Sequence, residues 1–298
     1  MAAYTTTMSG LLTAMKSTLL LYQNTTLAKL KHYQKSVLNP QTVFPALAIL
    51  PINETYEYGL SNSKYDVTRN ISLQVFDLKF DQTQSHDNTV DLIKAVKDIF
   101  EDNHTISGTT YSLKWDAEGY GNTIQVGNKF LKRSTLNVSA KSRENFSTMV
   151  TTGTCQSNVN PKDLQDRIKT YLVNNKAAYY STVNTIKDSP IEPIPVLPAV
   201  LVGAGYKSRN QEAPAADMST VYVDVAICTQ LFAKETSLNH NLSITEGVKD
   251  VLQINHQFGG YCEYSNIENI EYEPEQIDER NFMYRTVINL ACKMREYI

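Results

Sequence analysis

Cysteine is scarce in this sequence, with four residues in 298 (Cys155, Cys228, Cys262 and Cys292) and no CxxC pair among them. That spacing excludes a zinc ribbon or a thioredoxin-type redox motif. Cys228 and Cys292 fall within apolar alternating stretches, so the four read as buried free thiols in a reducing compartment, behaving as small hydrophobes. Long apolar runs are also missing. The longest, Ile194 to Val202, is interrupted by Pro195 and Pro198 and falls far short of the roughly 20 residues a membrane helix needs. No membrane span is expected. The N-terminus, Met1-Ala-Ala-Tyr-Thr-Thr-Thr, lacks positive charge and Leu19-Leu20-Leu21 is too short for a signal-peptide core, so no signal peptide is expected. The seven N-x-S/T sequons, at Asn24, Asn53, Asn70, Asn103, Asn137, Asn145 and Asn241, then reflect abundant Asn, Ser and Thr rather than glycosylation.

An excess of basic charge is lacking too. The net charge is −3, which argues against sequence-specific nucleic-acid binding as the main role. The halves differ: residues 1–152 carry 15 Lys+Arg against 13 Asp+Glu, and residues 153–298 carry 13 against 18. Opposite net signs of +2 and −5 permit head-to-tail contact between neighbouring molecules. With 42% hydrophobic and 20% charged residues, the chain is expected to be globular throughout, and its length suits two domains with separate cores.

An internal repeat dominates what is present. Leu136-Asn-Val-Ser-Ala-Lys-Ser-Arg-Glu144 aligns with Ile288-Asn-Leu-Ala-Cys-Lys-Met-Arg-Glu296 at an offset of 152, with Asn, Lys, Arg and Glu identical. At the same offset Ala95-Val-Lys-Asp-Ile-Phe100 matches Gly247-Val-Lys-Asp-Val-Leu252, and Ile71-Ser-Leu-Gln-Val-Phe76 matches Val223-Asp-Val-Ala-Ile-Cys228. Phe44-Pro-Ala-Leu-Ala-Ile49 pairs with Leu197-Pro-Ala-Val-Leu-Val202 at 153. Blocks in one order at one spacing indicate tandem duplication.

Both copies read alike. Leu11, Leu12, Met15, Leu19 and Tyr22, and then Leu164, Ile168, Tyr171 and Leu172, recur at helical spacing, with Pro161 and Asp163 as a start signal. An apolar strand follows the shared proline (46–50, 199–202), then a loop and a long alternating strand (68–80, 219–232). A second helix carries Val90, Ile93, Val96 and Phe100, or Ile244, Val248, Val251 and Leu252, with Asp87 and Ser243 as candidate N-caps. A hairpin region and a last alternating strand (134–140, 286–292) close each copy. The expected fold is α+β: two similar domains, 1–152 and 153–298, each α-β-β-α-β-β with a mixed or antiparallel sheet covered by helices on one face. The boundary falls in the polar stretch 151–161.

The search for chemistry yields no catalytic, cofactor-binding or metal-ligating residue. The five histidines (His32, His86, His104, His240, His256) lie on polar stretches without metal-site spacing and are expected to face solvent for the most part. Val200-Leu-Val-Gly-Ala-Gly-Tyr-Lys-Ser208 resembles the start of a phosphate loop, but serine stands where GxGxxG requires its third glycine, and Gln211 to Asp217 is Pro/Ala-rich rather than helical. A flexible strand-to-loop turn is the expectation there. The acidic segment 263–279, with Glu268, Glu271, Glu273, Glu275, Asp278 and Glu279, is read as a solvated hairpin tip or a charged rim facing a partner. Trp115 and most tyrosines suit sheet and core, while Tyr56, Tyr58, Tyr120 and Tyr272 in loops are candidate interface anchors.

The order of apolar strand after proline, loop, alternating strand, amphipathic helix, hairpin and closing strand ending in Lys-x-Arg-Glu resembles the tail terminator, or tail completion, family of tailed bacteriophages, here in tandem. The resemblance covers nearly the whole chain and rests on element order, length and the lack of a site, not on a diagnostic motif. It implies a non-enzymatic virion protein, assembled in the host cytoplasm, that forms a ring at the head-proximal end of the tail. Such a ring caps the tail tube and joins it to the neck, so the implied partners are self, tail tube protein and neck or connector proteins. Three tandem chains in a pseudo-sixfold ring, or six chains in two layers, both satisfy the pattern. The segments 52–64, 116–129 and 203–219 are the loops expected to order against a neighbour. Three alternatives stay open: another neck, connector, sheath or baseplate component; a non-viral protein-interaction adaptor; and an enzyme using the Gly203-Ala204-Gly205 turn.

Overall fold

A computed structural model describes residues 6–38, 42–58, 64–145, 155–156, 159–188, 196–213, 216–230, 234–276 and 282–297. Most of the linker 151–161, Pro195, and Asp278 and Glu279 of the acidic segment lie outside the described residues. The fold is α+β, and the described residues form four helices and eleven strands with mixed pairing. No helix among them is long and apolar enough to cross a membrane. The chain divides into two compact units, one drawn from residues 1–54, 64–144 and 233–238, the other from 55–63, 145–232 and 239–298.

In the first unit, helix α1 (Met8–Leu20) starts at Thr7, whose hydroxyl accepts from the Gly10 amide, and buries Leu11, Leu12, Met15 and Leu19. Strand β1 (His32–Gln34) runs parallel to the start of β2 (Ala46–Tyr58). It is locked there by the Lys31 amide donating to the Pro45 carbonyl at 2.8 Å, just after the cis peptide Phe44-Pro45. Strand β3 (Lys64–Lys79) alternates inward Val67, Ile71, Leu73 and Val75 with half-buried neighbours. Asp81 caps helix α2 (Gln82–Asp102) by accepting from the Thr83 and Gln84 amides. After α2 the chain reverses through Ile106, buried at φ 42°, and forms β4 (Ser112–Tyr120), β5 (Ile124–Val126) and β6 (Lys129–Asn145). The strand order is β4-β6-β3-β2, with β1 beside β2 and β5 folded back on β6.

The second unit uses the same sequence of devices. Helix α3 (Pro161–Tyr179) is capped by Asn160 with Pro161 in its first turn, where a missing N–H costs nothing. Strand β7 (Thr185–Asp188) runs parallel to the start of β8 (Ala199–Ala213) after a second cis peptide, Leu197-Pro198, with the Asn184 amide donating to the Pro198 carbonyl at 2.8 Å. Strand β9 (Ala216–Gln230), helix α4 (Lys234–Ile254), β10 (Tyr264–Gln276) and β11 (Phe282–Tyr297) complete the order β10-β11-β9-β8-β7. An apolar cluster, Ala199, Leu201, Ala226, Cys228 and Val287, lies on the face of these strands opposite Val200, Val202, Val225 and Ile227.

Shared features extend to single hydrogen bonds at the spacing of 152. The Asn103 and Asn255 side chains each donate to the carbonyl four residues back in their helix. Ile106 and Phe258, both buried, share a positive φ. Thr110 and Cys262 each donate to the carbonyl six residues earlier. The hairpins open with Tyr111 and Glu263 amides donating to Lys141 and Lys293 carbonyls, and each carries a register shift, between Trp115 and Ala117 or between Ile267 and Asn269.

The structure departs from expectation in several places. Strands β1 and β7 add a strand after the first helix of each half, and β5 adds one more; at three or four residues they are too short for a periodic signal. Where described, the segments expected as loops are mostly arms of hairpins: β2 continues to Tyr58, β4 and β5 take 112–120 and 124–126, and β8 continues to Ala213, while 59–63 and 214–215 lie outside the described residues. Their polar sequences hide the strand because Asp116 to Tyr120 and all of β5 have no buried face to impose alternation. Gly203 to Gly205 lie inside β8, not in a turn; a Cβ at Gly205 would stand 3.2 Å from the Tyr222 carbonyl oxygen.

Candidate functional site

The groups singled out in the sequence do not converge among the described residues. Among the described residues no three His, Cys, Asp or Glu side chains are placed to hold a metal ion. His104 is exposed, and His32, His86 and His240 are half-buried, with His32 against Gln34 and His240 against Thr182. His256 is the buried exception where most histidines are expected to face solvent. It is 8% exposed, and burial pulls its pKa below the usual imidazole value. The turn after α4 folds it inward between buried Val251, Leu252 and Phe258 in sequence. In the acidic segment, Glu268 and Glu273 are exposed on β10 and Glu273 pairs with Arg285 at 3.1 Å. The cross-strand pair engages Glu273 without a cleft.

The thiols are poor nucleophiles. Cys228, Cys262 and Cys292 are buried. Cys155 donates to the Cys262 carbonyl at 3.0 Å, and Cys262 donates to the His256 carbonyl at 3.3 Å. Burial raises the pKa of Cys155, and does so strongly for Cys292, so both remain protonated at neutral pH. A reactive thiol requires the opposite environment.

One buried cluster was missed in the sequence. Arg69 on β3 is fully enclosed beside Glu54 of β2, with Nε 3.4 Å from Glu54 Oε2. Its guanidinium also bonds Glu144 Oε1 and Ser142 Oγ on β6, and the Tyr65 hydroxyl donates to Glu144 Oε2 at 2.7 Å. The available signal was an arginine at an inward position of an apolar alternation, between Val67 and Ile71. Glu54 is sealed from solvent and both oxygens of Glu144 are engaged. The cluster ties three strands together.

The surface feature that stands out is the β4–β5 ribbon of the first unit. Tyr120, Ile124 and Val126 are exposed along it, and Phe80 is exposed with the Lys129 ammonium 4.9 Å from its ring centre. Trp115 is half-buried against Phe100, and Lys97 pairs with Glu118 at 2.6 Å. Of the tyrosines expected as loop anchors, only Tyr120 lies open on the surface. Tyr56 and Tyr272 are buried in strands, and Tyr58 is half-buried with its hydroxyl donating to the Ile267 carbonyl at 2.8 Å. Exposed apolar side chains gathered on a ribbon are a feature of association surfaces.

No protein-family model matches the chain, and no curated protein matches it.

Proposed function

We propose that the chain is a tandem-duplicated structural protein of the phage tail terminator type, forming a ring at the head-proximal end of a tail and contacting tail tube and neck proteins. In this reading residues 1–152 and 153–298 are two similar domains, each built as α-β-β-α-β-β with helices over one face of its sheet. The role is architectural, the site of action is the virion after assembly in the host cytoplasm, and neither a membrane nor a specific nucleic-acid sequence is a partner.

The observation that carries the reading is the hydrogen-bond correspondence at a spacing of 152, from the helix-end asparagines to the hairpin register shifts. Two equivalent building blocks in one chain supply repeated, non-identical contact surfaces, and heterologous contacts between such surfaces close into rings when the rotation allows. The test is mass measurement of the purified full-length chain, together with negative-stain imaging. The expected result is a closed ring of three or six chains; a monomer or dimer at every concentration tried would sink the proposal.

A further inference from the structure

Strands β4 and β10 hold the same place in their hairpins, each opening on the same backbone hydrogen bond and carrying the same register shift. Their surroundings differ. On β10, Ile267 and Ile270 are 1% exposed and Tyr272 is 7% exposed. Within that unit, residues 55–58 belong with β10: the Tyr58 hydroxyl donates to the Ile267 carbonyl, and the Tyr56 ring lies 6.0 Å from the Lys249 ammonium. On β4 the counterpart residues are Trp115, half-buried, Glu118, exposed, and Tyr120, 49% exposed. Beyond Tyr120 the ribbon continues with Ile124 and Val126, 60% and 50% exposed.

β4 stands at one end of the strand order with β6 as its single neighbour among the described strands. Its outer edge therefore offers unpaired backbone N–H and C=O groups, which is a template for an added strand. A complementary edge exists in the second unit. Strand β8 pairs with β9 along one side, whereas on its other side β7 covers only Ala199–Val202. From Gly203 to Ala213 that side has no partner among the described strands. The outer part of β8 is also the counterpart, at the spacing of the repeat, of residues 55–58, which accompany β10.

We propose that the free edge of β4, with the exposed ribbon Tyr120–Val126 beyond it, binds a second copy of the chain, which lays residues 203–213 of its β8 along that edge as an added strand. The proposal rests on the ring-forming reading and names the contact that reading needs. Main-chain hydrogen bonds supply the attachment, as in other strand additions. The exposed charges Lys114, Asp116 and Glu118 restrict the edge to a matching partner instead of any passing strand. Each chain contributes one acceptor edge and one donor edge, so the contact is heterologous and repeats from copy to copy.

Hydrogen–deuterium exchange of the full-length chain, followed across a concentration series alongside its mass, separates the outcomes. The expected result is that amides of 112–120 and 203–213 become at least tenfold slower to exchange as the assembly forms. The double variant Tyr120→Asp/Ile124→Asp should remain a monomer with an unchanged circular dichroism spectrum. Assembly without protection of these two segments overturns this contact and leaves the ring reading standing. Failure to assemble at any concentration overturns both.

Discussion

At position 69 the first unit buries an arginine, and at the equivalent position, 221, the second buries a valine. One neighbour changes with it: Ser142 engages Arg69, whereas its counterpart Met294 is buried and apolar; Glu144, which also engages Arg69, has an identical counterpart in Glu296. Around this difference the inward positions of the strand stay matched, with Ile71, Leu73 and Val75 facing the roles of Val223, Val225 and Ile227. The repeated architecture is thus specified by backbone hydrogen bonds, turns and volume. A given core position accepts either an ion cluster or hydrocarbon, with a packed neighbour altered to match. A buried ion cluster contributes little net stability over a well-packed apolar equivalent but is costly to break, because an unpaired charge is left in the interior.

That comparison is broken most severely by Arg69→Val alone. It strands Glu54 and Glu144 without their cation, and the expected loss is about 3–5 kcal/mol, read as a fall in the urea midpoint. Adding Glu54→Leu, Glu144→Leu and Ser142→Met, which makes the cluster apolar throughout, should recover much of it. A quadruple variant no more stable than Arg69→Val would show that shape, not charge balance, governs this position.

A second contrast lies at Gly247, whose counterpart is Ala95. A Cβ on Gly247 would stand 2.5 Å from the Tyr179 carbonyl oxygen, at the end of α3. Helix α1 ends at Leu20, near Asn24-Thr25-Thr26, while α3 runs on through the better helix formers Lys176, Ala177 and Ala178. The longer helix brings its last turn onto α4 and requires glycine there. Gly247→Ala should destabilise by about 1–3 kcal/mol through overpacking, despite a propensity gain of about 1 kcal/mol. Ala95→Gly should cost only that propensity difference, about 1 kcal/mol. If Gly247→Ala instead raises the thermal midpoint, the close approach to α3 does not constrain α4.

These contrasts also mark what the sequence could disclose. The four matching blocks lie where burial enforces periodicity: the strands after Pro45 and Pro198, the inward faces of β3 and β9, helices α2 and α4, and the ends of β6 and β11. A buried face imposes alternation, and alternation survives divergence between copies. The outer part of β4 and all of β5 lack such a face, so their sequences resemble loops, and nothing local separates Tyr120 from its buried counterpart Tyr272. Arg69 carries no signal on its own, because a charged residue at an inward position looks like a break in the pattern without its partners on β2 and β6. The α+β class followed from local pattern; the added strands β1 and β7 did not, being stabilised by parallel pairing that a segment of three or four residues does not announce.

The smallest expected effect concerns His256, buried where its counterpart His104 is exposed. Burial lowers the pKa of His256 in the folded chain, while the unfolded chain takes up a proton near the ordinary value of about 6.5. Below that pH the unfolded state binds more protons at this site than the folded state does. Stability therefore declines as pH falls through the interval between the two values, and is fully retained above it. Among the described residues His256 Nδ1 has no hydrogen-bond partner, so a nonpolar replacement removes an uncompensated polar atom as well as the titration. Urea midpoints of wild type and His256→Leu, compared from pH 7.5 down to pH 5, should show a shallower decline in the variant. An identical decline in both proteins would mean that other groups set the acid sensitivity and that the inward turn of His256 is without thermodynamic consequence.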